Sequence, residues 1–181
     1  AGATGWMADF AEAMPFDAKL SDGMEPMTWH NRYTEEWART NREAIEEAGL
    51  RDEGVCFHRS AFAQSPKHAT LFWLGDQLQS WDEYDGIKTA VVGTLSGGMS
   101  GFSLVHFDVG GYVTLSLNVA GKKIPIIARS NELFQRWMEL GAFTAVYRTH
   151  EGLDPDVSSQ FDSDPANTQH LKRFATIFKV L

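Results

Sequence analysis

The sequence is poor in cysteine, in basic residues and in long apolar runs. Cys56 is the only cysteine among 181 residues, which excludes an internal disulfide and leaves the cellular compartment open. A total of 16 Lys and Arg against 24 Asp and Glu gives a net charge of −8, without the clustered cations of a surface that binds phosphates. The longest apolar run, near Thr89–Leu95, is broken by Gly93 and is far shorter than the roughly 20 residues that cross a bilayer. We therefore expect neither nucleic-acid binding nor a membrane span.

The six histidines are scattered along the chain, and no two of them have the i, i+4 spacing of a helical zinc site. We therefore predict no metal ion, and nothing in the sequence requires an organic cofactor. An apolar content of 43% is enough to bury one sizeable core, either as a single globular unit or as part of a larger one. The chain has no initiator Met and soon enters a strand-like segment, Gly5–Ala8, so we interpret it as part of a longer protein.

Short apolar runs alternate with segments of helical periodicity, the pattern typical of βα units around a parallel sheet. The apolar runs predict strands, and the periodic segments predict helices that begin at polar capping residues. Ser80 and Glu83 have the spacing of a capping box, so we expect one helix to begin there. The predicted strands are Trp6–Ala8, Val55–Phe57, Ala69–Trp73 and Phe102–Phe107. The other predicted helices begin at Asn31, with Gly49 at the end, at Ser130, and at Asp164 with Pro165.

Four polar residues lie at or just past the carboxyl ends of predicted strands: Asp9, Arg59, Asp76 and Asp108. In a parallel barrel these ends converge on one face, where active sites are built. A complete barrel of eight βα units needs about 250 residues, so the chain predicts an α/β fold, a partial (β/α)8 TIM barrel with roughly the last four or five units. We expect the N-terminal part of the barrel to come from the same parent protein or from another chain, because an open parallel sheet has exposed edges.

Several short motifs follow one another along nearly all of residues 1–181. The first is Trp6-Met7-Ala8-Asp9-Phe10-Ala11-Glu12. The further motifs are Phe57-His58-Arg59-Ser60-Ala61-Phe62 with Gln64, Phe72-Trp73-Leu74-Gly75-Asp76-Gln77, Asp108-Val109-Gly110-Gly111-Tyr112, Glu132-Leu133-Phe134-Gln135-Arg136-Trp137, Arg148-Thr149-His150-Glu151-Gly152 and Gln160-Phe161-Asp162-Ser163-Asp164. In this order the motifs resemble those of glycoside hydrolase family 31, and the first is similar to the family's nucleophile segment, especially in its sulfoquinovosidase-like branch. No single motif would be specific to the family, but their occurrence together in this order is.

The resemblance implies a retaining α-glycosidase, with residues 1–181 as the C-terminal portion of its catalytic barrel and a carbohydrate as its substrate. Asp9 would attack the anomeric carbon, and Asp76 would be the general acid/base. Such carboxyl groups stand about 5–5.5 Å apart, and the acid needs a less polar pocket, for which Phe72 and Trp73 are candidate walls. The implied substrate-binding residues are Arg59, which stabilises the nucleophile's charge or contacts sugar hydroxyls, Asp108 and His150, which bind hydroxyls, and Trp6 and Trp73, which present ring faces.

The chain departs from the family pattern in two places. Ala11 stands where many relatives have Gly, which predicts crowding in the turn beside Asp9. The segment Ser116–Ala128, which contains Lys122, Lys123 and Pro125, is longer than the usual connection. We interpret it as a surface excursion or an interaction loop.

Simpler interpretations remain for each residue, and more than one function fits the pattern. Asp9 and Asp76 could be helix-capping or turn residues, in which aspartate is common. Arg59 could be the partner in a structural ion pair, and Asp108 could shape the tight loop before two glycines. Trp6 and Trp73 have the size typical of core residues. The sugar can be glucose or sulfoquinovose, and transfer to a second sugar would use the same acids. The alternative from another class is a non-catalytic, glycosidase-derived subunit used for binding or assembly.

Overall fold

The computed structural model describes residues 2–181, which divide into two compact units. The first unit extends to Trp73 and includes Gly101–Leu104, and the second contains Leu74–Ser100 and Val105–Leu181. Within the described residues, no helix combines the length and apolar content that crossing a membrane would require.

The first unit is built on three parallel strands, β1 (Gly5–Ala8), β2 (Val55–His58) and β3 (Leu71–Trp73). β2 is central, because it pairs with β1 on one side and with β3 on the other. The parallel sheet and these three strands were predicted, although β3 begins two residues later than expected. Because β1 and β2 run in register, with Ala8 opposite His58, the residues that follow both strands emerge side by side.

The first unit also contains a short helix α1 (Pro26–Trp29) and a long helix α2 (Tyr33–Glu47) that covers the sheet. The predicted N-cap at Asn31 is wrong, because Arg32 holds that position and the Asn31 carbonyl accepts a hydrogen bond from Thr34. Gly49 has a φ of +71°, the left-handed conformation that ends many helices, as predicted. The side of α2 that is buried carries Thr34, Ala38, Asn41 and Ile45.

The first helix of the second unit is α3 (Ile87–Met99), and the predicted capping box at Ser80 and Glu83 does not form. Asp82 instead accepts hydrogen bonds from the N–H groups of Tyr84 and Asp85, which fold residues 82–85 into a turn. Gly86 then takes the N-cap position of α3. A Cβ at Gly86 would lie 2.5 Å from the Ser80 carbonyl oxygen, so only glycine fits there.

The predicted strand Phe102–Phe107 is reduced to β4 (Val105–His106). An antiparallel hairpin follows it, β5 (Leu115–Val119) and β6 (Lys122–Ile127), in the segment that was interpreted as a surface excursion. Ala120 and Gly121 join the two strands, and both have positive φ, as a two-residue type I′ turn requires. The long connection is therefore an ordered hairpin.

Two amphipathic helices, α4 (Asn131–Gly141) and α5 (Pro165–Val180), complete the second unit and pack on each other. Both predicted caps are confirmed: Ser130 accepts a hydrogen bond from the Leu133 N–H, and Asp164 accepts one from the Ala166 N–H. Helix α4 buries one apolar face in the core of this unit. The core residues are Ala90, Phe107, Val109, Leu133, Phe134, Trp137 and Met138.

Candidate functional site

In the first unit, Asp9 and Arg59 directly follow two paired strand residues. An Arg59 guanidinium nitrogen, Nη1, lies 3.2 Å from Oδ1 of Asp9, and Nη2 forms a hydrogen-bonded ion pair with Glu12. The guanidinium also lies over the Phe10 ring, 4.3 Å from its centroid. Only 14% of the Arg59 side chain is exposed, whereas 37% of the Asp9 side chain is. The Arg59 guanidinium is thus held by Asp9, Glu12 and Phe10, while the Asp9 carboxylate stays accessible to solvent or to a ligand.

The turn after β1 sets the direction of the Asp9 side chain. Phe10 and Ala11 have φ values of +62° and +77°, a region that side chains with a Cβ rarely adopt. The Phe10 N–H donates to Oδ1 of Asp9 at 2.9 Å, and Ser60 donates to the Phe10 carbonyl at 2.7 Å. Strain of this kind persists only where surrounding contacts determine the conformation. The departure noted at Ala11 therefore coincides with a strained turn at the candidate nucleophile.

In the second unit, Asp76 and Asp108 occupy very different environments. Asp76 is exposed, whereas Asp108 is 2% exposed and forms an ion pair with Arg148. Burial raises the pKa of the Asp108 carboxyl above its ordinary value, the nearby Arg148 and His150 oppose the rise, and Asp76 adds to it. The apolar pocket predicted around Asp76 stays a prediction. Asp108 is a buried acceptor whose orientation Arg148 determines.

His150 lies beside Asp108, and a hydrogen bond to its ring identifies which nitrogen carries the proton. Its Nδ1 accepts a hydrogen bond from the Gly152 N–H at 3.0 Å, so Nε2 carries the proton in the neutral ring. The Tyr112 ring packs edge-on against the imidazole, with centroids 4.8 Å apart. A backbone bond from Val109 N–H to the Arg148 carbonyl brings these segments together. The buried carboxyl group of Asp108, which accepts, and the oriented Nε2–H of His150, which donates, together suit the recognition of a hydroxyl group.

Trp6 and Trp73 have packing contacts in this structure. The Trp6 indole N–H donates to Asn41 at 2.6 Å, and its ring packs against the small core of Ala8, Ile45 and Cys56. Trp73 is 1% exposed and meets Phe57 edge-to-face, with centroids 5.6 Å apart. Their predicted contact with a sugar stays a prediction.

Sequence reasoning missed the partners that hold the candidate residues in place. Glu12 and Arg148 were quoted inside motifs without a role, yet they are the ionic partners of Arg59 and Asp108. The spacing of Arg148 and His150 is a usable signal, because residues two apart in an extended segment point to the same side.

Arg129 was not singled out at all, and it is the most buried cation of the second unit. Its guanidinium donates to the carbonyls of Ser159, Gly111 and Glu151 and to the side chain of Gln160, and it stacks on Phe134. Burial lowers its pKa to about 10, so it stays charged at neutral pH. No sequence spacing would reveal this role, because its partners come from three separate loops.

Residues 1–177 match the family described as "Glycosyl hydrolases family 31 TIM-barrel domain". The chain is 39% identical to the sulfoquinovosidase of Agrobacterium fabrum and 40% identical to that of Escherichia coli, each over 180 residues and 99% of this chain. A solved family 31 sulfoquinovosidase from E. rectale, in complex with an aza-sugar inhibitor, is 40% identical with a TM-score of 0.85, covering 99% of this chain and 25% of that one.

The chain is therefore part of an α/β barrel, which confirms the predicted fold class. It belongs to glycoside hydrolase family 31, as the motifs indicated. It spans about a quarter of the length of the curated relatives it matches, 26% and 25% of the two sulfoquinovosidases.

Proposed function

We propose that the protein containing this chain is a retaining α-glycoside hydrolase, with residues 1–181 as the C-terminal portion of its catalytic barrel. The observation that carries the proposal is the Asp9–Arg59 pair, 3.2 Å apart at the ends of neighbouring parallel strands. That is where barrel enzymes place their reacting groups. Membership of family 31 and about 40% identity to sulfoquinovosidases support the same activity.

In the proposed reaction, the Asp9 carboxylate attacks the anomeric carbon of an α-glycoside while Asp76 protonates the departing glycosidic oxygen. The carbon–oxygen bond breaks, and the sugar becomes an ester of Asp9. Asp76, now a carboxylate, removes a proton from water, and the oxygen of that water displaces Asp9. Two inversions leave the product with the configuration of the substrate.

Arg59, Asp108 and His150 are the proposed sugar-binding residues. Arg59 contacts both Asp9 and Glu12 and thereby keeps the nucleophile in one orientation. This raises the reaction rate, because the reacting atoms must be aligned before attack. Asp108 accepts from a sugar hydroxyl, and the Nε2–H of His150 donates to one. Trp6, inside β1, and Trp73, the last residue of β3, remain proposed ring faces for the sugar, and their observed contacts are packing contacts.

The proposed substrate is a glucose-like sugar, either an α-glucoside or a sulfoquinovoside. Two of the relatives are named sulfoquinovosidases, whereas a human relative, 30% identical over 143 residues, is named a probable maltase-glucoamylase. Aryl glycosides of both sugars should be compared on the same preparation, because the ratio of their kcat/KM values reports which ring the site binds more tightly in the transition state.

The first experiment replaces Asp9 by Asn in the whole protein. We expect turnover of a 4-nitrophenyl α-glycoside to fall by roughly 10⁴-fold, because the amide cannot form the ester. Asp52→Asn is the matched control, since Asp52 is an exposed carboxylate in the turn before β2. Full activity in Asp9→Asn would refute the proposed nucleophile.

A covalent cyclitol inhibitor separates the enzyme from a non-catalytic binding subunit. We expect mass spectrometry of the peptides to find the adduct on Asp9, with no adduct in Asp9→Asn. Reversible binding of the cyclitol without any adduct would support the binding subunit instead.

A further inference from the structure

The connection between β2 and β3 shapes a cavity in the first unit. Two parallel strands are joined by a crossover, which is usually an α-helix. Here residues 59–70 contain only a single turn of 3₁₀-helix, Ser65–Lys67, so this crossover places no α-helix beside α2. A cavity of about 550 Å³ lies between α2, this turn and residues 101–104, all within the first unit. Its volume is typical of sites that bind small molecules.

The lining of this cavity is positively charged, although the chain as a whole has a net charge of −8. The Lys and Arg residues that line it are Arg39, Arg42, Arg51 and Lys67. Glu43 and Glu46 are its acidic residues, so positive charge exceeds negative charge even with His68 neutral. The cations come from α2, from the turn after it and from the crossover, which explains why no basic cluster is visible along the sequence. A cleft with an excess of one charge attracts ligands of the opposite charge.

Several of the cationic donors are left without a partner in the protein. Arg42 donates from Nε to Glu46 at 2.8 Å, and only 24% of its side chain is exposed. Within residues 2–181, the two terminal nitrogens of Arg42 and Nζ of Lys67 form no hydrogen bond or ion pair. Arg51 Nε lies 3.8 Å from Glu46, too far for a hydrogen bond. A guanidinium whose terminal nitrogens are unpaired is suited to a phosphate group, which it can bind through two parallel hydrogen bonds.

The rest of the lining suits the organic part of a ligand. Phe102 is 6% exposed and its ring stacks on that of Phe72, with centroids 4.6 Å apart, so it forms a fixed apolar wall. Thr70 and Ser103 are exposed and supply hydroxyl groups to the same cavity. A bare inorganic anion would leave most of the volume and these groups unused. The cavity therefore fits a phosphate attached to a small polar molecule.

The cavity is separate from the candidate functional site of the first unit. Ala69 and Thr70, which line it, directly precede β3 and so mark the amino end of that strand. Asp9 and Arg59 instead follow the carboxyl ends of β1 and β2. Because the three strands are parallel, the cavity and the Asp9–Arg59 pair lie at opposite ends of the sheet. A ligand in the cavity would leave the Asp9 carboxylate open.

We propose that this cavity binds a small organic phosphate monoester, such as a sugar phosphate. A phosphate monoester carries a charge of about −1.5 to −2 at pH 7, which matches a site with several unpaired cationic donors. The terminal nitrogens of Arg42 and the ammonium of Lys67 hold the phosphate, and the hydroxyls of Thr70 and Ser103 pair with those of the sugar. Binding here requires neither Asp9 nor Asp76, so it is independent of the glycosidase activity.

Calorimetric titration of the whole protein with glucose 6-phosphate at low salt tests the site. We expect a Kd below about 1 mM, and Lys67→Ala should raise it about tenfold, because one charge-assisted contact is lost. Lys67 is exposed and makes no ion pair, so its removal should not affect folding. Lys19→Ala, at another exposed lysine of the first unit, is the matched control and should bind as the unchanged protein does. Absence of binding, or equal Kd values for the two variants, would overturn the site.

A pair of variants separates ligand binding from a structural role of the Arg42–Glu46 ion pair. Arg42→Gln and Glu46→Gln break the same contact. We expect Arg42→Gln to raise the Kd about tenfold, and Glu46→Gln to lower it severalfold, because the second change removes a negative charge and frees Nε of Arg42. Weaker binding in both variants is what a purely structural role predicts, and it would contradict the proposed site.

Three further ligands and one variant define what is bound and where. Glucose 6-sulfate has the same shape with a single charge, inorganic phosphate lacks the sugar, and glucose lacks the charge; each should bind at least about tenfold more weakly than glucose 6-phosphate. Equal affinity for glucose 6-sulfate or glucose would refute recognition of a dianion, and equal affinity for inorganic phosphate would refute an organic ligand. Asp9→Asn should bind glucose 6-phosphate as tightly as the unchanged protein. Loss of binding in Asp9→Asn would move the ligand to the candidate functional site and overturn the cavity. None of these measurements requires turnover, so their failure would leave the proposed glycosidase untouched.

Discussion

His58 makes the stability of the first unit dependent on pH. It ends the central strand β2, between β1 and β3, and is 2% exposed. Burial lowers its pKa from 6.5 to about 4, because the charged imidazolium would lose its hydration there. Its Nδ1 has no hydrogen-bonding partner among residues 2–181, so nothing at that nitrogen compensates for a charge.

The sign and size of the effect follow from the two pKa values. Above pH 6.5 the ring is neutral in both the folded and the unfolded chain, and its protonation does not affect stability. As the pH falls from 6.5 to about 4, the unfolded chain binds the proton first, so the free energy of unfolding decreases. The interval between 6.5 and about 4 corresponds to about 3 kcal/mol, fully lost below pH 4.

Urea unfolding, followed by tryptophan fluorescence at pH 7.5, 6, 5 and 4.5, measures this loss. His58→Met removes the titrating group with a flexible side chain that fills irregular space. We expect the protein to lose about 2–3 kcal/mol more than the variant over this range. His68→Gln controls for replacing a histidine at a less buried position. Parallel stability curves for the protein and His58→Met would refute the reasoning.

Three further predictions concern the ion pair, the buried cation and a helix cap. Arg59→Lys should lower kcat/KM on an aryl α-glycoside by about 100-fold, because an ammonium cannot contact Asp9 and Glu12 as a planar guanidinium does; equal kinetics would refute it. Arg129→Met should lower the free energy of unfolding by about 4 kcal/mol, since four acceptors lose their donor, and denaturant titration checks this. Asp164→Ala should cost about 1 kcal/mol in the same assay, and no loss would mean that the cap is dispensable.

The parts of the fold that the sequence predicted are those governed by local patterns. Ser130 and Asp164 cap α4 and α5 because their short side chains reach free N–H groups one turn ahead. The capping box at Ser80 failed for the same physical reason, since Asp82 offers a stronger acceptor to the N–H groups of Tyr84 and Asp85. Two local motifs competed for one segment, and periodicity alone does not rank them.

The acidic residues of the candidate site could be predicted from the sequence, but the residues that hold the site in place could not. Asp9 and Asp108 were found because they follow strands, which is a sequence property. Glu12 and Arg148 act through contacts across 47 and 40 residues, and those depend on how segments pack.

The turn at Phe10 and Ala11 holds Asp9, the candidate nucleophile, more rigidly than a turn with glycine at position 11 would. A glycine at position 11 could exchange among many backbone conformations, whereas a residue with a Cβ at positive φ has few neighbouring states to visit. The backbone that sets the direction of the Asp9 side chain is thus restricted to few conformations. Variants that loosen this turn should broaden the range of directions from which Asp9 approaches a sugar, trading accuracy of attack for tolerance of differently shaped substrates.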